Sequence, residues 1–457
     1  MSNKAGTKIG VISLGCSKNR VNSEQMMFLL REAGYYVTGE TDEVDFVLLN
    51  TCGFIESAKT EAVETILELS AAKKDGRIGK LIVAGCLPER HKEDILEELP
   101  EIDAVVGTGS FDDIVEVVKN VANNSDICLF GDIDAPVSET PRIISTSPLW
   151  AYLKIAEGCD NRCAYCCIPD IRGRFRSRPM ENIIEEAETL VKNGVRELII
   201  VAQDVTRYGF DIYGELKLAE LLTKLDKIKE LKWIRLHYLY PDGFSEELID
   251  VIAKSGKILK YLDIPIQHIN DSILEKMNRR SSGADIRVLI KTLRERIEGV
   301  VLRTSLITGL PGEGEQEFSE LLEFIREYKI ERVGVFAYSP EDGTPAALMS
   351  RPSKKIAEER AELLLDLQSD IVQEFNNSRV DLELPVLIDG LGSEIDNTIN
   401  GREYLLARSY AESPDIDGYI YIKTCQKNRP PDRISPDRFA DIRITGIEDG
   451  VLVGEQI

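Results

Sequence analysis

Residues 157–179 read EGCDNRCAYCCIPDIRGRFRSRP and place four of the chain's nine cysteines within nine positions. Three of them, Cys159, Cys163 and Cys166, stand in a C-x3-C-x2-C spacing just after the apolar run WAYLKIA (150–156). If that run is a strand, the cysteines occupy the loop at its carboxyl end, where parallel α/β folds keep their chemistry. Five further runs of the same type follow: ELIIVAQ, WIRLHYL, YLDIPIQ, VLRTSLIT and RVGVFAY. Amphipathic segments such as ENIIEEAETLVKNG and SEELIDVIAKSG separate them, each closing on a glycine that suits a helix C-terminus. Six βα units in succession predict a parallel sheet curled toward a barrel, short of the eight units of the complete form.

Upstream of the cysteine loop, KIGVISL (8–14), VDFVLL (44–49), KLIVA (80–84) and DAVVG (103–107) are short apolar runs of the kind that become strands buried on both faces. Helical patterns lie between them. Residues 22–33 open at a capping Asn22 or Ser23 and stop before Gly34, and ESAKTEAVETILELSAAKKD stops before Gly76. Residues 131–149, GDIDAPVSETPRIISTSPL, lack apolar periodicity and read as a linker. Downstream, a polar helix from about 352 to 376 leads to GYIYIK, RFADIRITGI and GVLVGEQI, the strands of a small all-β module. The expected class is α/β, with an N-terminal parallel βαβ sheet domain over 1–140, a partial (βα)6 barrel over 146–376 and a C-terminal β-barrel over 378–457.

The sequence begins MSNKAGTKIG, without a charged-then-apolar leader, and no apolar run approaches the roughly 18 residues that span a bilayer. The expected compartment is the cytoplasm, with no membrane partner. In that reducing setting nine cysteines point to metal or redox chemistry rather than to a disulfide framework. An excess of 79 acidic over 56 basic residues repels phosphate backbones over most of the surface, so a nucleic-acid partner needs a local basic patch and a basic protein does not.

A zinc site wants a fourth cysteine or histidine at regular spacing, and the chain's histidines, His91, His237 and His268, are not so placed. Cys167 is no natural fourth ligand, because neighbouring side chains point apart; it reads as a packing cysteine. Thiolates suit iron-sulfur clusters, and a cubane held by three of them leaves one iron open to a further ligand. Upstream, Cys16, Cys52 and Cys86 each follow a predicted strand, at separations of 36 and 34 residues. One βαβ unit takes roughly 30 residues or more, so successive parallel strands would deliver all three thiols to the same sheet edge. Any one of them has a plain alternative as a buried structural cysteine. Three at equivalent strand ends favour a second cluster. Cys128 and Cys425 fall in no pattern.

The C-x3-C-x-aromatic-C arrangement, with Tyr165 as the aromatic residue, resembles the signature of radical S-adenosylmethionine (SAM) proteins. In that superfamily the fourth ligand is the amino and carboxylate groups of the cosubstrate itself. Over essentially the whole chain, SLGCSKNRVNSE, NTCGFIESAK and GCLPER included, the sequence resembles the radical SAM methylthiotransferases. These join an N-terminal domain with an auxiliary cluster to a radical SAM core and a small TRAM barrel. Ser17 stands where proline is the usual residue. VAQDVTRYG, WIRLHYLYP, YLDIPIQH, VGVFAYSPEDGTPA and ARSYAESPDIDGYIY are similar to the RimO-type branch, which modifies ribosomal protein S-twelve, rather than to the MiaB-type branch, which modifies adenosine in tRNA.

The resemblance implies two 4Fe-4S clusters and S-adenosyl-L-methionine as cofactors, one cluster on Cys159, Cys163 and Cys166 and the other on Cys16, Cys52 and Cys86. It implies addition of a methylthio group to the β-carbon of an aspartate in S-twelve, with an electron donor such as flavodoxin or ferredoxin. Cofactor contacts are expected at Tyr165; at Arg172 or its neighbours Arg174, Arg176 and Arg178; at Gln203 beside Asp204; at Arg303; and at Ile307 and Gly309 in the TSLITGLPGEGE stretch. His237 and His268 read as hydrogen-bonded structural residues. Residues 376–457 hold 9 Lys plus Arg against 15 Asp plus Glu, so the C-terminal barrel is expected to face a basic protein rather than RNA. A tRNA adenosine methylthiotransferase is the alternative of the same class, and a non-catalytic zinc or RNA-binding adaptor the alternative of another.

Overall fold

The computed structural model describes residues 6–92, 94–125, 127–391, 404–423 and 438–457. Six strands form the N-terminal sheet: β1 (Lys8–Ser13), β2 (Tyr36–Thr38), β3 (Val44–Thr51), β4 (Ile78–Gly85), β5 (Ala104–Val106) and β6 (Ile127–Leu129). Their order is β2-β1-β3-β4-β5-β6, and every pair is parallel. Because side chains alternate across a strand, Phe46, Leu48, Ile82 and Ala84 turn to one face, against Met26, Leu30 and Val117 of the helices Ser17–Glu32 and Ile114–Ala122. Val47, Leu49, Leu81 and Val83 turn to the other, against Ala62 and Ile66 of the helix Glu56–Lys74. Both faces are covered, which is why the central strands read as unbroken apolar runs. β2 and β6 lie at the two edges, only 3 residues each, too short to show a period in the sequence.

A second parallel sheet contains β7 (Trp150–Lys154); β8 (Ala156–Glu157) and β9 (Arg176–Ser177) then pair as a short antiparallel ribbon around the cysteine loop. The sheet continues through β10 (Glu197–Val201), β11 (Trp233–Leu236), β12 (Ile258–Asp263), β13 (Val301–Thr308) and β14 (Arg332–Ala337). The order β14-β13-β12-β11-β10-β7 leaves β14 and β7 unpaired with each other, so the barrel is open. Leu153, Leu198, Ile200, Leu236, Leu262 and Leu302 point outward into the helical layer and form the largest core. Inward-pointing Trp150, Tyr152, Ile199 and Val201 instead pack on Val21 of the first helix.

The polar helix Lys354–Ser378, capped by the Ser353 hydroxyl accepting from Ile356 N, leads to a closed five-stranded barrel. Its strands are β15 (Glu383–Leu391), β16 (Tyr404–Arg408), β17 (Ile420–Lys423), β18 (Phe439–Glu448) and β19 (Val451–Gln456). The turn after β16 inserts against the inner face of the open sheet. There Glu197, wholly buried, accepts Arg235 at 2.8 Å and Arg408 at 2.9 Å, and both arginines are wholly buried too. Ser413 Oγ lies 2.9 Å from His237 Nε2, and the Tyr261 hydroxyl donates to Asp417 at 2.7 Å. Glu412 pairs with Arg379 and, at 3.1 Å, with Arg332. Several of the acids counted toward an outward-facing negative barrel are thus directed at the chain's own arginines, a distinction that net charge does not carry.

The linker is irregular, as its composition predicts, yet it is pinned. Arg142 pairs with buried Glu24 and, at 2.6 Å, with Glu186, while Ser145 N donates to Glu24 at 2.8 Å. Among the described residues no helix is long and apolar enough to cross a membrane.

Candidate active site

The first cysteine set sits where β8 ends. Gly158 holds φ +79°, and a Cβ there would lie 2.0 Å from Arg174 O, so only glycine lets the loop close under the arginine-rich stretch. Cys159 N donates to Gly173 O at 3.1 Å, Cys166 N to Cys163 O at 3.0 Å, and Ala164 N to Met277 O at 3.0 Å, which turns the three thiols toward one space. Burial pushes the Cys159 thiol up to about 11 and Cys166 well above its ordinary range, with the nearby Cys163 adding to both.

The second set is assembled by sheet register. Ser13 pairs with Asn50 and Thr51 with Gly85, so β1, β3 and β4 end level and release Cys16, Cys52 and Cys86 side by side. Two glycines allow the three loops to touch. A Cβ on Gly15 would stand 2.5 Å from Cys52 Cβ, and one on Gly53 would stand 2.7 Å from Leu87 Cα and 3.0 Å from the carbonyl carbon of Cys86. Burial, then the Cys86 and Cys16 thiols, push Cys52 up to about 12. Burial would also raise Cys16, but Lys18 and Arg172 outweigh it and draw its thiol below the ordinary value. Replacing Gly15 or Gly53 by alanine should dislodge this set alone, so reconstituted protein should fall from about eight to about four irons per chain, measured by iron assay.

All six cysteines line one cavity of about 1540 Å³. Single-ligand pockets run to roughly 300–1,000 Å³, so this chamber has room for more than one small molecule. At one wall Glu341, 2% exposed, accepts Lys59 at 3.1 Å and Arg90 at 2.7 Å from the N-terminal domain. Arg90 also donates to Gly53 O at 3.0 Å, tying this clasp to the Cys52 loop.

Among the described residues no three His, Cys, Asp or Glu side chains close around a single ion, as one zinc would require. A cubane spreads three thiolates over three irons, and two all-thiol sets without histidine fit that demand. His91 is exposed, His237 meets Ser413, and His268 Nε2 lies 3.3 Å from Glu313, so none completes a set.

Tyr165, Arg172, Gln203, Arg303 and Ile307 line the chamber. Gln203 Nε2 donates to Glu157 at 2.5 Å, while its buried Oε1 has no partner among the described residues. Arg303 pairs with Asp263 at 2.7 Å. Arg172 is committed to the second set: it donates to Asn22 at 2.7 Å, Asn19 at 2.9 Å and Cys86 Sγ at 3.2 Å, stapling the first helix to the cysteine loop. Arg174, Arg176 and Arg178 are not among the lining residues; Arg178, for example, binds Glu139 and Glu186. Gly309 also lies outside the lining. Its missing side chain admits Ala357, 2.3 Å from an ideal Cβ, and its N–H donates to Glu313, which Arg360 holds at 2.8 Å. Cys167 is a packing residue beside Ile171 and Phe54, Cys128 is exposed, and Cys425 lies outside the described residues.

Two cations escaped the sequence reading. Lys18 Nζ lies 3.4 Å above the Tyr238 ring, and Arg279 stacks 4.0 Å over Tyr240 while donating to Pro265 O at 2.6 Å. Burial opposes a charge on Lys18, yet Tyr238 and Cys16 outweigh it and hold the ammonium above its ordinary range. Only the aromatic-rich HYLYP run hinted at these platforms.

An open six-stranded barrel carrying C-x3-C-x2-C after its first strand is the arrangement of radical SAM proteins, and residues 153–325 match the family model described as Radical SAM superfamily. Residues 8–107 match the one described as Uncharacterized protein family UPF0004, and 382–457 match the TRAM domain. Among solved structures, the radical S-adenosylmethionine methyltransferase TsrM from Kitasatospora setae, with cobalamin and a 4Fe-4S cluster bound, shares the fold at TM-score 0.57 and 15% identity, over 77% of this chain and 78% of that one. Ribosomal protein uS12 methylthiotransferase RimO of Acetivibrio thermocellus is 45% identical over 98% of both chains, and its namesake in Geobacter sulfurreducens 43% identical over 100% of both. The chain belongs to the uS12 methylthiotransferase family of radical SAM proteins.

Proposed function

We propose that the protein adds a methylthio group to the β-carbon of an aspartate in ribosomal protein uS12, the S-twelve protein of the small subunit. The supporting observation is that two separate three-cysteine sets, built by two different sheets, open onto one chamber. Cys159, Cys163 and Cys166 would hold one 4Fe-4S cluster, and Cys16, Cys52 and Cys86 the other. When bound, the clusters and S-adenosylmethionine supply the radical, the sulfur and the methyl group.

The chain's own part is to bind, orient and keep water out. Tyr165, Gln203, Arg303 and Ile307 are the proposed contacts to S-adenosylmethionine, with the unpaired Gln203 Oε1 as an acceptor for its donor groups. Tyr238, Tyr240 and Phe54 give the chamber apolar walls that limit solvent around a reactive carbon. The Glu341 clasp between the two sheets, and the turn after β16, which meets His237 of one and Arg20 beside the other, keep both thiol sets turned to the same space. Reduction by a flavodoxin or ferredoxin in the cytoplasm completes the reading.

Mass spectrometry of a deletion strain tests it. Ribosomal protein uS12 should lose the mass of CH2S while the tRNA pool is unchanged. Loss confined to tRNA would assign the chain to the tRNA-modifying branch instead.

A further inference from the structure

Two cations lining the chamber have a carboxylate of their own. Arg172 has Glu157 and Arg303 has Asp263. Lys18 and Arg279 do not, among the described residues. Arg279 is satisfied otherwise, by Pro265 O, the Tyr240 face and a 3.8 Å approach to Cys163 Sγ, all on the side of the first cysteine set. Lys18 differs. It is 7% exposed, lines the cavity, and rests on the ring of Tyr238. A ring face meets one side of an ammonium and leaves its other N–H donors to be matched, an arrangement that favours an incoming anion in a space shielded from water.

We propose that Lys18 is the group that receives the carboxylate of the target aspartate, an inference that rests on the methylthiotransferase reading above. Position argues for the substrate rather than the cosubstrate. Lys18 opens the helix Ser17–Glu32 two residues after Cys16, beside the second thiol set, and reaches Tyr238 just beyond β11. The β-carbon to be modified is one bond from the carboxylate carbon, so a salt bridge to Lys18 fixes that carbon in the chamber between the two sets. It also makes the site selective: an asparagine in place of the aspartate forfeits the charge-assisted bond.

The test uses the holoenzyme with both clusters and S-adenosylmethionine, and two uS12 peptides that differ only in Asp or Asn at the modified position. Binding is read by fluorescence anisotropy. Wild type should prefer the Asp peptide by about 10–100-fold, the range of a charged hydrogen bond. Lys18→Gln and Lys18→Met should bring the ratio to near one by weakening the Asp peptide alone, and Lys18→Arg should restore part of the preference. Iron content and affinity for S-adenosylmethionine should not change. A preserved ratio in Lys18→Gln and Lys18→Met, a loss of iron, or weakened cosubstrate binding with the ratio intact would each overturn the assignment of Lys18 while leaving the enzyme reading in place. A wild type that bound and modified neither peptide would overturn both.

Discussion

Replacing Cys16, Cys52 and Cys86 together by alanine should leave 5′-deoxyadenosine formation intact and reduce methylthio transfer to background. The two cysteine sets have separate backbone supports, joined through the side-chain contact of Arg172 to Cys86 Sγ. Gly158 and the Met277 carbonyl shape the first, whereas the level ends of β1, β3 and β4, with Gly15 and Gly53, shape the second. Emptying the second set therefore removes no backbone contact from the first. Iron should fall from about eight to about four per chain, and chromatography of the nucleoside with mass spectrometry of the peptide separates the two activities. Methylthiolation that survived the triple change would remove the second set from the reaction.

Replacing Glu197 by glutamine or alanine should destabilise the protein by about 3–5 kcal/mol, because it takes the carboxylate from wholly buried Arg235 and one of two from wholly buried Arg408, which keeps only Asp389. Against a typical stability of about 5–15 kcal/mol this is a large fraction. Anaerobic denaturant titration should show it as a lowered midpoint. The apolar double change Glu197→Leu, Arg235→Met, which leaves Arg408 on Asp389, should recover most of the loss, since the cost lies in the unpaired charge and not in the lost ion pair. A Glu197→Gln protein as stable as wild type would show that the junction bears no such load. The same junction is sensitive to acid. Burial would raise the Glu412 carboxyl, but Arg379 and Arg332 outweigh it and draw it down to about 2. A carboxyl depressed in the folded state contributes stability above its unfolded value near 4.3, and that contribution is lost as pH falls toward 2.

The elements legible in the sequence were those whose physics is local or strictly periodic. Strands covered on both faces announce themselves as apolar runs, and thiols one βαβ unit apart must converge once those strands are parallel neighbours. Gly309 shows the limit of position: β13 brings Ile307 to the chamber, yet only the packing of Ala357 reveals what the missing side chain of Gly309 admits. Lys18 and Arg279 were invisible for a related reason. Their significance lies in Tyr238 and Tyr240, more than 200 residues and about 40 residues away along the chain, and no spacing rule links a cation to a distant ring. Net charge likewise carries no direction: Glu412 and Asp417 bond to the chain's own Arg332 and Tyr261.

Arg408 and the turn behind it are translated after every strand of the open sheet. Until they emerge, Glu197 and His237 lack partners that the finished molecule gives them, and the sheet's inner surface stays accessible. Vectorial synthesis thus sets an order of maturation, in which the halves of the chamber form first and the C-terminal barrel, arriving last, locks them.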